Sequence, residues 1–161
     1  MKFKKVLTVL FTSVMVLTMS SSVMAESTEA TEVTPFIIGV GDTRDTAINL
    51  IPSQNYSLFL SNDNNDKDWF KWTNNTNQYK RVSSNVYFNG SRLNYRFGFI
   101  IDYGNGKETN LVYDDPDISG DLMSLDNLYL PPGATLYLVL RHAPGRDIAT
   151  QYTIVWYLQD I

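Results

Sequence analysis

Apolar and polar side chains alternate with a period of two along most of the chain from Phe36 onward. This period places successive side chains on opposite faces of a β-strand, whereas a helix repeats about every 3.6 residues. Turn-forming residues, such as those at 131–133, separate the alternating runs. The pattern predicts ten strands: Phe36–Val40, Ala47–Ile51, Tyr56–Leu60, Asp68–Thr73, Tyr79–Phe88, Asn94–Asp102, Glu108–Tyr113, Met123–Leu130, Thr135–His142 and Gln151–Leu158.

Short strands at near-regular spacing, with no convincing helical stretch, are typical of all-β proteins. We therefore expect an all-β fold, an antiparallel β-sandwich or jelly roll of about eight to ten strands. The length from residue 36 to residue 161 is that of a single domain.

The richer apolar face of each strand indicates the core. On the strand Thr135–His142 this face carries Leu136, Leu138 and Leu140, so Tyr137 points outward. The last two strands keep some apolar residues on the opposite face as well. If these two strands pair, we expect one exposed patch made of four residues: Tyr137, Val139, Val155 and Tyr157.

Trp69 is a second aromatic residue predicted to point outward. Phe70 and Trp72 share one face of their strand, which leaves Trp69 on the other face, toward solvent or a partner. Exposed planar side chains offer a large contact area to sugar rings or extended peptides. Trp69, Tyr137 and Tyr157 are therefore candidate ligand-binding residues, unless loops or the N-terminal tail cover them.

The first 25 residues have the features of a secretory signal peptide. Lysines at positions 2, 4 and 5 precede an apolar run, and the small residue Ala25 ends a cleavage-site pattern. Residues 26–35 are polar and acidic, which predicts a flexible lead-in to the domain. We expect a secreted, extracellular protein with no membrane insertion after the signal is removed.

Charge and composition narrow the classes of partner. Removal of three lysines leaves ten Lys and Arg against seventeen Asp and Glu, a net formal charge of −7. Nucleic acids and anionic membranes require clustered basic residues, so neither is expected as a partner. One histidine, His142, and no cysteine argue against zinc, and we expect this histidine at the surface near a strand end.

The acidic loop over residues 62–68 has two interpretations. Its Asn and Asp side chains supply the oxygen ligands that calcium prefers. The same residues also bond to their own backbone in tight turns, which would simply start the next strand. The cation interpretation requires Asp42 and Asp45 to converge on this loop.

Four segments follow one another along the chain: Gly41-Asp42-Thr43-Arg44-Asp45-Thr46-Ala47, Asp66-Lys67-Asp68-Trp69-Phe70-Lys71-Trp72-Thr73, Pro132-Gly133-Ala134-Thr135-Leu136-Tyr137-Leu138-Val139-Leu140 and Gln151-Tyr152-Thr153-Ile154-Val155. In this order they resemble the bacterial pre-peptidase C-terminal domain, whose relatives include the collagen-binding domains of clostridial collagenases. The resemblance spans roughly Gly41 to Leu158.

The resemblance implies a secreted jelly-roll module that has a non-catalytic role beside a secreted enzyme. It also implies a calcium site and a ligand platform that includes Tyr137, on the strand after the Pro-Gly turn. The calcium ligands that it implies are Asp42, Asp45, Asn65, Asp66 and Asp68.

The leading functional hypothesis is a secreted, non-enzymatic binding module that adheres to an extracellular or cell-wall polymer, either protein or polysaccharide, with calcium as a stabilising ion. One alternative is a small secreted hydrolase that uses paired carboxylates, since Asp is abundant. Another is an interaction subunit of a secreted enzyme. These hypotheses differ in whether the protein retains a polymer, turns one over or requires a second protein.

Overall fold

A computed structural model of the protein describes residues 40–114 and 122–161. The predicted signal peptide, the lead-in and the first four residues of the strand Phe36–Val40 lie outside this part. Val40 is described and belongs to no strand. The strands are β1 Ile48–Asn49, β2 Tyr56–Leu60, β3 Lys67–Thr73, β4 Lys80–Phe88, β5 Tyr95–Gly104, β6 Lys107–Glu108, β7 Val112–Tyr113, β8 Leu122–Leu130, β9 Thr135–His142 and β10 Thr150–Asp160.

These strands form two sheets, which confirms the predicted all-β sandwich. The six-stranded sheet has the order β1-β3-β9-β5-β6, with β7 also paired to β5. The four-stranded sheet has the order β2-β10-β4-β8. All pairs are antiparallel except β1 with β3, which run parallel.

The predicted strand Glu108–Tyr113 is divided into β6 and β7. At Thr109 the side-chain hydroxyl, rather than a backbone carbonyl, accepts the hydrogen bond from the N–H of Ile101 (3.0 Å). Because a side-chain acceptor takes the place of a backbone acceptor here, the backbone hydrogen-bond ladder is interrupted between the two short strands. A single-turn 3-10 helix, Arg92–Asn94, precedes β5. Within the described residues no helix is long and apolar enough to span a membrane.

The main core lies between the sheets and consists of the residues that the alternation predicted. Leu136, Leu138 and Leu140 of β9 are fully buried, as is Phe70 of β3. Trp72 of β3 packs against this core, and its ring centroid lies 5.7 Å from that of Trp156 of β10. Close packing of such side chains from two inner faces is what stabilises a sandwich.

The prediction that Trp69 is exposed is wrong, although its face is correct. Trp69 lies on the outer face of the six-stranded sheet, where it belongs to a second buried cluster with Ala47, Ile100 and Val139. The chain from Gly41 to Ala47 contributes to the cover: the backbone N–H of Trp69 donates to the carbonyl of Gly41 (2.7 Å). Trp69 is therefore part of a second buried cluster and is not open to a ligand.

Glycine permits a close approach between the six-stranded sheet and a covering segment at two points. A Cβ atom on Gly41, whose φ is +87°, would come within 2.9 Å of the Trp69 carbonyl oxygen. A Cβ atom on Gly98 of β5 would come within 2.7 Å of the Tyr113 ring. Both glycines thus allow short segments to cover the outer face of the six-stranded sheet.

The predicted patch of Tyr137, Val139, Val155 and Tyr157 does not exist, because the last two strands do not pair. β9 lies between β3 and β5, whereas β10 lies between β2 and β4 in the other sheet. The two tyrosines therefore belong to different sheets.

We predict that Trp69→Ala lowers the free energy of unfolding by about 3–5 kcal/mol, as expected for a buried aromatic side chain. Phe70→Ala should cost a similar amount, because Phe70 is fully buried on the opposite face. Tyr103→Ala is the control, since Tyr103 is 48 % exposed and should cost less than about 0.5 kcal/mol. Urea unfolding measures all three. A Trp69→Ala value as small as that of Tyr103→Ala would contradict the second core.

Candidate functional site

The fold brings together three of the five predicted calcium ligands. One oxygen atom from each of Asp42, Asp66 and Asp68 lies within 4.8 Å of the others. The backbone hydrogen bond from the N–H of Trp69 to the carbonyl of Gly41 holds Asp42 beside the start of β3. The backbone N–H of Ser61 donates to Asp66 Oδ2 (2.6 Å), which positions this carboxylate at the other side of the group.

Asp45, the fourth predicted ligand, is not part of this carboxylate group, and the fifth, Asn65, contributes to the adjacent turn. Asp45 is exposed on the turn that ends at Ala47, and the group of three does not include it. The amide nitrogen of Asn65 donates to Asp63 Oδ1 (3.2 Å), and its backbone N–H donates to the same oxygen (2.9 Å). Asn65 therefore shapes the exposed turn, as the Asx-turn interpretation predicted.

Asp68 differs from its two neighbours because it is buried at the edge of the core. Its Oδ2 accepts a hydrogen bond of 2.5 Å from the hydroxyl of Tyr152, which lies on the opposite sheet. The pKa of the Asp68 carboxyl is raised to about 7: burial is the main cause, the hydrogen bond from Tyr152 opposes it, and the nearby charges of Asp66 and Asp42 add to it. A cation bound to this group would favour the ionised form.

Tyr137, predicted as a ligand platform, is half-buried and partly covered. The guanidinium carbon of Arg44 lies 4.2 Å from the centre of its ring, a cation–π contact. Arg44 also forms ion pairs with Glu108 (2.7 Å) and Asp102 (3.3 Å). These contacts hold the covering segment over the ring of Tyr137, so this sheet face presents less open aromatic surface than the sequence predicted.

Tyr157, in contrast, is half-exposed on the outer face of the four-stranded sheet. There it lines a polar groove of about 310 Å³. Strands β4, β8 and β10 supply the rest of the lining, and we call this feature the sheet groove. Its six polar residues are Arg81, Ser83, Asn85, Asp126, Asn127 and Gln159.

A β-bulge shapes one wall of the sheet groove. Between the pairs Val82–Leu128 and Ser84–Leu125, two residues of β8 oppose the single residue Ser83 of β4. The extra residue makes Asp126 and Asn127 both exposed, whereas a regular strand would turn one of them inward. Asn127 takes a positive φ of 56°, which asparagine tolerates well.

The sequence reasoning missed the polar residues of the sheet groove. A signal was present: Arg81, Ser83 and Asn85 alternate with buried positions of β4, so they share its outer face. Nothing in the local pattern indicated that Gln159 and the bulged residues of β8 would lie beside them, because that depends on long-range strand pairing.

His142 was predicted to be a surface residue, and this is wrong. It is fully buried, and its Nε2 lies 2.8 Å from the carbonyl oxygen of Ser61, to which it donates. Its ring also packs against the ring of Tyr95, with centroids 5.7 Å apart. His142 therefore links the end of β9 to the start of the acidic loop and has a structural position.

We predict that the stability of the cation-free protein falls as pH rises from about 4 to about 7. In this range the folded protein keeps the proton on Asp68 while the unfolded chain, with an ordinary pKa, releases it. The free energy of unfolding contributed by Asp68 is therefore highest below pH 4 and is lost toward pH 7, with a slope approaching about 1.4 kcal/mol per pH unit.

Urea unfolding in a chelator, at several pH values, measures this slope. Asp68→Asn keeps an acceptor for the Tyr152 hydroxyl and has no titrating group, so the difference between wild type and variant isolates the contribution of Asp68. Asp63→Asn is the matched control, because Asp63 is exposed. A difference between wild type and Asp68→Asn that is constant across the pH range would contradict the prediction.

Comparison with known proteins does not identify a family. No protein-family model matches the chain, and a search of curated proteins finds no match. The relation to the pre-peptidase C-terminal domain therefore stays a prediction that rests on the segments quoted above.

Proposed function

We propose that this chain is a secreted, non-catalytic binding module that adheres to an extracellular or cell-wall polymer. The exported form would begin after Ala25, at the end of the signal-peptide pattern. The polymer would bind on the outer face of the four-stranded sheet. Partners that require a basic surface remain unexpected, because the exported chain is acidic.

The observation that supports this proposal is the difference between the two outer sheet faces. The face that carries Trp69 is covered and largely buried. The face that carries Tyr157 stays accessible and holds an aromatic ring among polar side chains. Rigid, exposed aromatic residues on a sheet bind ligands at a small entropic cost, since few rotatable bonds must be immobilised.

We predict that Tyr157→Ala abolishes or strongly weakens retention of the protein on its polymer without loss of fold. The test is a pull-down on insoluble purified cell walls, cellulose, chitin and collagen fibres, with melting curves for each variant. Tyr103→Ala is the control, because Tyr103 is similarly exposed but belongs to the six-stranded sheet.

The same incubations distinguish the alternatives. Release of soluble sugars or peptides would favour the hydrolase, and retention that requires a second secreted protein would favour the interaction subunit. No retention of wild type on any of these polymers, or equal retention of wild type and Tyr157→Ala, would overturn the proposed site.

We also propose that calcium stabilises the fold at the carboxylate group. Calcium takes six to eight oxygen ligands, and the three carboxylates of Asp42, Asp66 and Asp68 offer several oxygens in close proximity. Two of these carboxylates already accept hydrogen bonds, Asp66 from Ser61 and Asp68 from Tyr152, which fixes the orientation of two ligands. The donor set therefore fits a hard cation, which would neutralise charges that otherwise repel one another.

We predict that calcium at about 100 times its dissociation constant raises the free energy of unfolding by about 2.7 kcal/mol, if only the folded state binds it. Thermal unfolding with calcium and with chelator measures the effect. Asp42→Asn should remove most of this calcium effect, because the group loses one of its three carboxylates. Asp42 is exposed, so the substitution leaves the core intact. Asp45→Asn is the matched control and should retain the full effect. Equal melting midpoints of wild type in calcium and chelator would exclude the ion.

A further inference from the structure

We propose that the sheet groove binds a chain of uncharged sugars, so that the polymer is a neutral polysaccharide. A sugar ring would stack on Tyr157, and its hydroxyl groups would bond to the polar side chains around it. This inference rests on the proposed function and adds the chemical class of the ligand. Charge, hydrogen-bonding groups, aromatic placement and groove position each support it.

The formal charges of the groove cancel. Arg81 supplies one positive charge and Asp126 one negative charge, and the other lining residues are neutral. A polyanion would meet Asp126 in the groove and a strongly acidic chain around it, whereas a polycation would meet Arg81. An uncharged ligand has no such penalty, so charge complementarity favours a neutral chain over either charged class.

The polar groups of the groove are held in defined directions. Arg81 Nη2 donates to Gln159 Oε1 across the strand pair, which leaves the Gln159 amide nitrogen as the donor of that side chain. The Ser124 hydroxyl donates to Asn85 Oδ1 (2.9 Å), which likewise leaves the Asn85 nitrogen as the donor. Asp126 can only accept hydrogen bonds. Vicinal sugar hydroxyls both donate and accept, so they match this mixture of fixed donors and acceptors.

Two tyrosines provide stacking surfaces along one direction. Tyr157 lies opposite Ser83, and Tyr129 of β8 lies opposite Arg81 on the other side of β4. Both are about half-exposed. Regular strand spacing places their Cα atoms about 12 Å apart on a diagonal across β4. A linear ligand that crosses the groove from Tyr157 would pass Tyr129 next, so the second ring would extend the site to a chain of several sugars.

An extended peptide fits this site less well. Peptides that bind to β-proteins usually add a strand at a sheet edge, where backbone groups are unpaired. The sheet groove lies on a face whose central strands β4 and β10 already have partners on both sides. A peptide would then depend on apolar side-chain pockets, whereas Tyr157 lies among polar side chains. The sugar chain is therefore the favoured occupant.

Affinity electrophoresis tests the proposal, with the full chain expressed with its own leader and purified after export. Gels contain one polymer each: hydroxyethylcellulose, laminarin, mannan or arabinoxylan as neutral polysaccharides, polygalacturonate as an anionic one, and gelatin as a protein. We expect retardation by at least one neutral polysaccharide. Tyr157→Ala should weaken binding about tenfold, whereas Tyr157→Phe, which keeps the ring, should stay close to wild type.

Two further variants test the polar part of the site and its extension to Tyr129. Asn85→Ala should also weaken binding to the neutral polysaccharide, and Tyr129→Ala should affect long chains more than short oligosaccharides of the same sugar. Tyr103→Ala is the control and should bind like wild type. Equal melting midpoints show that a loss of binding is not a loss of fold.

The outcomes separate this inference from the proposed function. Retardation by gelatin or polygalacturonate alone, lost in Tyr157→Ala, would overturn the neutral polysaccharide and leave the binding module intact. Retardation by a neutral polysaccharide that Tyr157→Ala and Asn85→Ala leave unchanged would overturn the sheet groove as its site. No retardation by any of the six polymers would overturn this inference, whereas the binding module is overturned only if the insoluble polymers also fail to retain the protein.

Discussion

Burial of strand β3 on both of its faces is the constraint on which the rest of the structure depends. Phe70 faces the space between the sheets and is fully buried, while its neighbour Trp69 is buried on the outer side. A strand that buries both faces requires cover on both sides. The four-stranded sheet provides one cover. The chain from Gly41 to Ala47 provides part of the other, with Tyr113 of β7 packed at the same cluster.

This two-sided burial also explains where the acidic group forms. The segment that covers Trp69 carries Asp42, and the loop that leads into β3 carries Asp66 and Asp68. The burial of Asp68 and the charges of its two neighbours both oppose its ionisation. The packing of apolar residues thus places a group of oxygen atoms that a hard cation would stabilise.

The two sheets have different outer surfaces as a consequence. Residues that cover the six-stranded sheet bury Trp69, and Arg44 covers part of the Tyr137 ring. On the four-stranded sheet no segment of the described residues buries Tyr157, which stays about half-exposed beside the polar side chains of the groove. One outer face thus holds a second buried cluster, and the other exposes an aromatic side chain among polar ones.

The sequence by itself determined most of the strands and, where one face was clearly more apolar, the side that faces the main core. Alternation with a period of two is a local property, and Leu136, Leu138 and Leu140 are buried as it requires. The same alternation placed Trp69 and Tyr137 each on the face of its own strand that points away from the main core. It also indicated the acidic loop as a turn before β3, since Asn and Asp bond to their own backbone there.

Only the tertiary structure decided what covers each outer face and which strands are neighbours. Trp69 is buried because a distant segment lies over it, and Tyr137 and Tyr157 are separated because β9 and β10 belong to different sheets. A long-range backbone contact brought Asp42, but not Asp45, to the acidic loop. Pairing of β10 with β4 brought Gln159 beside Arg81. Strand pairing and cover depend on contacts between residues far apart in the chain, whereas alternation reports only the two sides of one strand.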